Sequence, residues 1–380
     1  MTAATIFLVA LCLRPAITTV GPLLPQIGAS LGLGETAQGV LGALPLLAFA
    51  LVSPQVHRAS GRYGAERAVF GALLVLALGG VVRSYTGDAG LWIGTLVIGC
   101  AIAVGNVLVP AIVKRDYSSN VSRATGVYTA FITIGASVAS AVAVPIAFAV
   151  DWRLALAVWS LLALIVAAVW LPRARPAPDP VEPSPDGVTV NVWRQPRAWL
   201  ITAFMGLQST CFYLMITWLP TIEIANGVSE RTAGVHLFVF QGLGILGGLA
   251  IPALLRDPSR RPLGAAVSSV PVLIAVLGLL GAPSLAVLWA GIGGLGQGAA
   301  LVTALTLISL GGRTQAETTR LSGMAQSLGY LLAAAGPIAA GVLAELTGDW
   351  TASLTLILVL GLLQVAAGYT AARSPAPNRV

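Results

Sequence analysis

Residues 11–19 read LCLRPAITT, so Arg14 and Pro15 stand inside a run that is otherwise apolar or small. A guanidinium keeps its proton under ordinary conditions and offers five donors in a planar fork. In apolar surroundings it needs an anion, a set of carbonyls or a ligand beside it. Pro15 withdraws a backbone donor and clashes with the carbonyl four residues back, so a kink is expected next to the arginine. Other uncharged polar side chains also stand in apolar runs. They are Thr18, Asn106 in IAVGNVLVPAIVKRDYS, Tyr128, Gln208, Ser209 and Tyr213 in GLQSTCFYLMITWLP, Gln297, Gln326 and Tyr330. Amides and hydroxyls of this kind donate and accept hydrogen bonds. Their chemistry is recognition of a small solute. An enzyme would need a nucleophile, an acid–base pair or a metal cluster, and the sequence has no such set.

The elements that must carry these residues follow from composition. Of the 380 residues 57% are hydrophobic and 9% charged, against about 25% charged in soluble domains. A soluble protein could not cover its surface with this composition, so the chain reads as a polytopic membrane protein. About 20 apolar residues cross a bilayer core. Twelve segments qualify: 4–26, 36–56, 67–87, 90–113, 123–149, 153–171, 197–221, 231–254, 262–281, 283–309, 320–345 and 350–371. One alternating set of loops, with the C-terminal tail, holds seventeen Lys and Arg. The other holds three, Arg83, Arg153 and Arg231. The positive-inside rule then puts both termini in the cytoplasm, as an even span count requires. The net charge of +7 is spread over short loops and forms no nucleic-acid stripe. Cys12, Cys100 and Cys211 lie in apolar runs and read as small buried hydrophobes. The N-terminus lacks a basic n-region and a cleavage site, which predicts a retained first helix.

The proline-rich, acidic stretch 173–195 reads as a solvated linker. It predicts an N-terminal six-helix bundle over 1–171, a linker over 172–196 and a C-terminal six-helix bundle over 197–380. An offset of 195 residues relates the two halves. Leu24, Pro25 and Ile27 fall on Leu219, Pro220 and Ile222; Glu35 falls on Glu230, and Gly39-Val40 on Gly234-Val235. Parallel repeats of this kind are found in transporters. The expected fold is an all-α membrane protein of twelve transmembrane helices in two pseudo-symmetric six-helix bundles.

Every carboxylate falls in a predicted loop or at a helix end, so none is expected at mid-depth to neutralise Arg14. That disfavours a structural ion pair and favours an anionic or electronegative ligand. Asn106 suits a ligand contact and interhelical bonding equally. The lone glutamines, Tyr330 and Tyr128 each read more readily as packing. The offset places Arg14 opposite Ser209, so the first helix of each half offers polar groups at one depth. His57 is expected in a solvated loop and His236 in a structural role. The pairs Gly244/Gly248 and Gly294/Gly298 predict close helix crossings.

The segments LCLRPAITTVGPLLPQI, IAVGNVLVPAIVKRDYS and GLQSTCFYLMITWLP resemble the cyanate permease and 2-nitroimidazole transporter (CynX/NimT-type) family of the major facilitator superfamily. The likeness runs over nearly the whole chain. It implies a secondary transporter working by alternating access on small anionic or electronegative solutes. It also implies that helices 1, 4, 7 and 10 line a central cavity, which would bring Arg14, Asn106, Gln208 and Gln297 together. In the superfamily's gating loop between the second and third helices, Arg62, Gly64 and Arg67 fit the basic and glycine positions. Gly61 stands where an acid is usual, which puts the loop's charge relay in question.

The expected function is therefore transport of a cyanate-like anion or nitroimidazole-like heteroaromatic, with Arg14 as the central contact. The alternative is a proton-coupled multidrug exporter of the same fold, which usually needs an acid in its cavity; a membrane-embedded enzyme is more distant. Without a mid-membrane carboxylate, uniport, exchange or a proton carried by the substrate is expected. No cofactor, metal or nucleic-acid partner is expected. The expected partners are a small-molecule substrate and the lipid bilayer. The chain is expected to be a monomer in the bacterial inner membrane.

Overall fold

A backbone crossing lipid finds no water to bond and must satisfy its own polar groups, and a stretch of about 20 apolar residues does so as a helix. The computed structural model describes residues 4–117, 121–174, 191–312 and 315–373, with the side chains of 57–59, 121–123 and 315–316 outside that description. Among the described residues, twelve helices are long and apolar enough to span a membrane. They are α1 (Thr5–Leu31), α2 (Glu35–Gln55), α3 (Ala65–Tyr85), α4 (Gly87–Asp116), α5 (Ala124–Ala149) and α6 (Trp152–Ala174). Then follow α7 (Pro196–Ala225), α8 (Glu230–Leu255), α9 (Pro258–Gly281), α10 (Pro283–Ser309), α11 (Glu317–Thr347) and α12 (Thr351–Arg373). The expectations for His57, Arg58, Arg123 and most of the linker fall outside the described residues.

By packing, the chain divides into two compact units. One comprises Met1–Leu33, Leu44–Pro183 and Glu230–Phe238; the other comprises Gly34–Ala43, Ser184–Ser229 and Val239–Val380. The first residues of α2 and of α8 thus each pack with the unit built mainly from the opposite half of the chain. In the first unit, α3 packs on α4 and α6, and α1 on α5; in the second, α9 packs on α10 and α12, and α7 on α11. These pairings repeat six helices apart. The glycines matched by the 195-residue offset both mark close approach. A Cβ on Gly39 would sit 2.5 Å from the Pro337 carbonyl oxygen, and one on Gly234 would sit 3.2 Å from that of Ser140.

Apolar side chains do not drive helices together in lipid, so association relies on close backbone contact and small residues. The crossing of α8 and α10 follows this rule. A Cβ on Gly298 would lie 1.8 Å from the Gly244 carbonyl oxygen, and one on Gly294 would lie 2.0 Å from that of Phe240. Large apolar residues face outward, among them Leu51, Leu249 and Leu346. Among the described residues no group of His, Cys, Asp and Glu could hold a metal. The three cysteines are free.

Two readings of individual charges need correction. The loop count puts Arg83 in the outer set, yet it lies within α3 and is 2% exposed. The span pattern puts Glu223 beyond the seventh helix, yet α7 runs on to Ala225 and buries it to 1% exposure. Pattern counting ends a span where polar residues begin. A helix whose polar side chains face protein continues past that point.

Candidate functional site

The candidate residues of the first unit are built around a break in α1. The helix runs as Thr5–Cys12, Pro15–Thr18 and Val20–Leu31. Pro15 has no N–H for the Leu11 carbonyl. Leu13 N instead donates to Ala10 O in a tighter turn (3.1 Å), and Arg14 leaves helical geometry at φ −123°. The arginine carbonyl then starts a new turn, accepting from Ile17 N at 2.9 Å and Thr18 N at 3.0 Å. Arg14 is half-buried and has a partner of its own within the protein.

Neighbouring helices hold this break in place. Thr18 Oγ1 donates to Ala136 O in α5 (3.1 Å) and approaches Arg14 O (3.3 Å). Its hydroxyl is thereby engaged in holding α1 to α5. Gly135, next to Ala136, leaves the Leu11 carbonyl room, since a Cβ there would sit 2.5 Å from that oxygen. Gly105 does the same for Leu13, whose Cδ2 would lie 2.4 Å from an added Cβ. Asn106 follows Gly105, is half-buried, and makes no side-chain hydrogen bond to another described residue. Tyr128 in α5 is buried and partnered.

The second unit has an uninterrupted α7, so Arg14's repeat partner Ser209 stands on continuous helix. Gln208 Nε2 donates to Ser209 Oγ (2.7 Å), with Met205 Sδ at 3.4 Å. Tyr213 and Tyr330 meet edge to face, with ring centroids 6.4 Å apart. Gln326 Nε2 donates to Ser322 Oγ at 2.9 Å. Gln297 is 3% exposed, and neither its amide nitrogen nor its oxygen has a partner among the described residues. A buried polar atom left unbonded costs about 1–3 kcal/mol, so this amide carries hydrogen-bonding capacity that its described neighbours do not meet.

In the loop between α2 and α3, Gly64 has φ +82°, a conformation that glycine adopts without strain. Arg67 Nε donates to Ala174 O (3.1 Å), tying the start of α3 to the end of α6. Arg62 lies over the Tyr63 ring, 5.4 Å from its centroid. Close by, Arg115 reaches Glu66 (2.5 Å) and Asp116 (2.9 Å), and Arg173 pairs with Asp116. Lys114 and Arg115 read as topology determinants, yet Arg115 also braces α3 against α4.

Comparison with known proteins decides the family. The Major Facilitator Superfamily model matches residues 6–334. A 2-nitroimidazole transporter of Escherichia coli (strain K12) is 37% identical over 97% of this chain and 95% of its own. The cyanate transport protein CynX of the same strain is 29% identical over 97% of each. The chain belongs to the major facilitator superfamily.

Within that superfamily, YycB of Bacillus subtilis (strain 168), an uncharacterized transporter, is 39% identical over 97% of this chain and 92% of its own. At fold level, a bacterial homologue of the human lysosomal transporter Spinster, inward-facing and unoccupied, matches with a TM-score of 0.78 at 15% identity. The match covers 98% of this chain and 96% of that one. A point mutant of the nucleoside transporter NupG gives 0.81 at 14% identity, covering 98% and 100%. This facilitator is a multi-pass membrane transport protein of a family of transporters.

Arg83 is a residue that sequence reasoning misses as a site candidate. Its Nη1 donates to Ala16 O (2.6 Å) and its Nη2 to Leu156 O (3.2 Å). One signal is available, because the predicted third span, 67–87, already encloses the arginine. Its partners are main-chain carbonyls of other helices, and no sequence pattern reveals those.

Proposed function

We propose that this facilitator moves a small anionic or electronegative solute, such as a cyanate-like anion or a nitroimidazole-like heteroaromatic, by alternating access. Arg14 is the central substrate contact. The observation that carries this reading is an arginine at a proline break midway along a membrane-spanning helix, in a chain related over its length to a 2-nitroimidazole and a cyanate transporter. Broken helices in transporters expose backbone and side-chain donors to substrate. Asn106, Tyr128, Gln208, Ser209, Tyr213, Gln297, Gln326 and Tyr330 are proposed as further contacts. The unbonded amide of Gln297 supports its inclusion. Thr18 shapes the α1 turn through Ala136 as well as facing substrate in this reading. The loop residues Arg62, Gly64 and Arg67 are assigned to gating. The two six-helix bundles (1–171 and 197–380), the linker (172–196), cytoplasmic termini, a monomeric state and residence in the bacterial inner membrane belong to the same reading.

The test is uptake of cyanate and 2-nitroimidazole into proteoliposomes holding the purified protein, after a thermal-shift screen that adds nitrate and small carboxylates. Arg14→Ala and Arg14→Lys are expected to abolish uptake while the protein stays folded, because an ammonium cannot copy the guanidinium fork. Normal transport by Arg14→Ala would overturn the assignment. Glu223 favours a second reading, proton-coupled transport, since a buried carboxylate in a spanning helix is the usual proton carrier. Uptake that follows an imposed pH gradient in the native protein and loses that dependence in Glu223→Gln would select it.

A further inference from the structure

Arg83 is a buried charge that the reading above leaves without a task. Its guanidinium bonds two main-chain carbonyls, of Ala16 in α1 and Leu156 in α6. Among the described residues its Nε has no partner and no carboxylate pairs with it. Beside it lies a cavity with room for about one water molecule, lined by Cys12, Ala16, Gly80, Leu156, Trp159 and Ser160 among others. Ser160 Oγ and Trp159 Nε1, on this wall, are also unbonded among the described residues. Here α1 meets α3 and α6 across an imperfectly filled seam, and the arginine on α3 bonds both of the others.

A buried charge is an expensive way to fill such a seam. An apolar side chain of similar volume is often as stable or more so. What the guanidinium adds is a directed hold on two carbonyls, and the shorter bond is the one that bears on the site. Its carbonyl belongs to Ala16, two residues past Arg14, in the single turn Pro15–Thr18. Thr18 pins the same turn to α5 on another side through Ala136 O. This turn follows directly on the break at Arg14, where the helix loses its regular bonding, so the two clamps bear on where Arg14 points.

We propose that Arg83 is a positioning residue for Arg14, fixing the broken turn of α1 so that the Arg14 guanidinium meets substrate in one orientation. This rests on Arg14 being the substrate contact. The test uses the full-length protein with Arg83→Met, which keeps an unbranched stem and removes every donor, and Arg83→Lys, which keeps the charge but not the planar fork that reaches both carbonyls. Both are made in the native and the Arg14→Ala backgrounds. Unfolding temperature and the KM and maximal rate of 2-nitroimidazole and cyanate uptake are measured in each.

Arg83→Met is expected to unfold at or above the native temperature with KM raised about 10- to 100-fold, the loss of one or two oriented hydrogen bonds to a charged group. Arg83→Lys should fall between Met and native. In the Arg14→Ala background Arg83→Met should remove nothing further from any residual uptake. Native KM in Arg83→Met overturns the proposal, as does a loss that appears undiminished in Arg14→Ala. Normal transport by Arg14→Ala overturns the substrate-contact reading itself, and a raised KM in Arg83→Met would then show a route not passing through Arg14. Should Arg83→Met fail to fold, Arg83→Lys decides: native KM and native unfolding temperature together refute the role.

Discussion

The tight seat of the Leu11 carbonyl against α5 makes Gly135 a probe of how finely the α1 break is placed. In Gly135→Ala the new Cβ would start 2.5 Å from that oxygen, about 0.9 Å short of ordinary contact at 3.4 Å. Its obstacle is backbone, so no rotamer can relieve it; α1 must move, one turn before Arg14. Shifting a guanidinium by that much stretches a hydrogen bond of about 2.9 Å beyond 3.5 Å, where it no longer counts as one. Hydrogen bonds to charged groups contribute about 1.5–3 kcal/mol, which corresponds to roughly 10- to 150-fold in affinity. Gly126→Ala on the same helix is the control, because nothing lies within 4 Å of its Cβ. Both substitutions gain the same helix propensity, up to about 1 kcal/mol, so their difference isolates the clash. Uptake of 2-nitroimidazole and cyanate in proteoliposomes should show a raised KM for Gly135→Ala and a native one for Gly126→Ala. Equal KM values in the two would refute the claim that the α1–α5 contact sets Arg14.

Three other outcomes are expected. Gly298→Ala drives a Cβ to 1.8 Å from the Gly244 carbonyl oxygen and should destabilise the α8–α10 crossing by about 1–3 kcal/mol. Thermal unfolding beside Gly242→Ala, which has open space, reads this out. Asp116→Asn removes the charge that both Arg115 and Arg173 pair with. Because Arg115 is half exposed, the loss should be about 1–2 kcal/mol, between the exposed and buried limits, and smaller at high salt if the exposed pair dominates. Replacing Tyr213 by Leu removes its edge-to-face contact with Tyr330, worth about 0.5–1.5 kcal/mol. It should weaken uptake of the aromatic 2-nitroimidazole more than that of cyanate, as competition between the two solutes would show.

How much of this is readable in advance depends on how local each cause is. The break in α1 is legible because proline acts within its own turn: no N–H, and a ring against the carbonyl four residues back. That α8 and α10 each make a close crossing is legible from their glycine pairs, because small residues let backbones approach so nearly; which helix meets which is not. Arg83 and Glu223 escape such a reading, because a window of hydropathy measures distance from apolar neighbours in sequence. It cannot register that an arginine's partners are carbonyls on two other helices.

Sequence by itself determined the class, the twelve spans, the repeat and the isolation of Arg14 in apolar chain, since lipid imposes a length and a polarity that each helix must meet alone. Tertiary structure alone decided which side chains are held and which are left unbonded. It engaged the Thr18 hydroxyl on α5, paired Gln208 with Ser209 and left both ends of the Gln297 amide without a partner among the described residues. Hydrogen bonds between helices depend on register, rotation and the space a neighbouring glycine leaves, and those arise only when the helices pack.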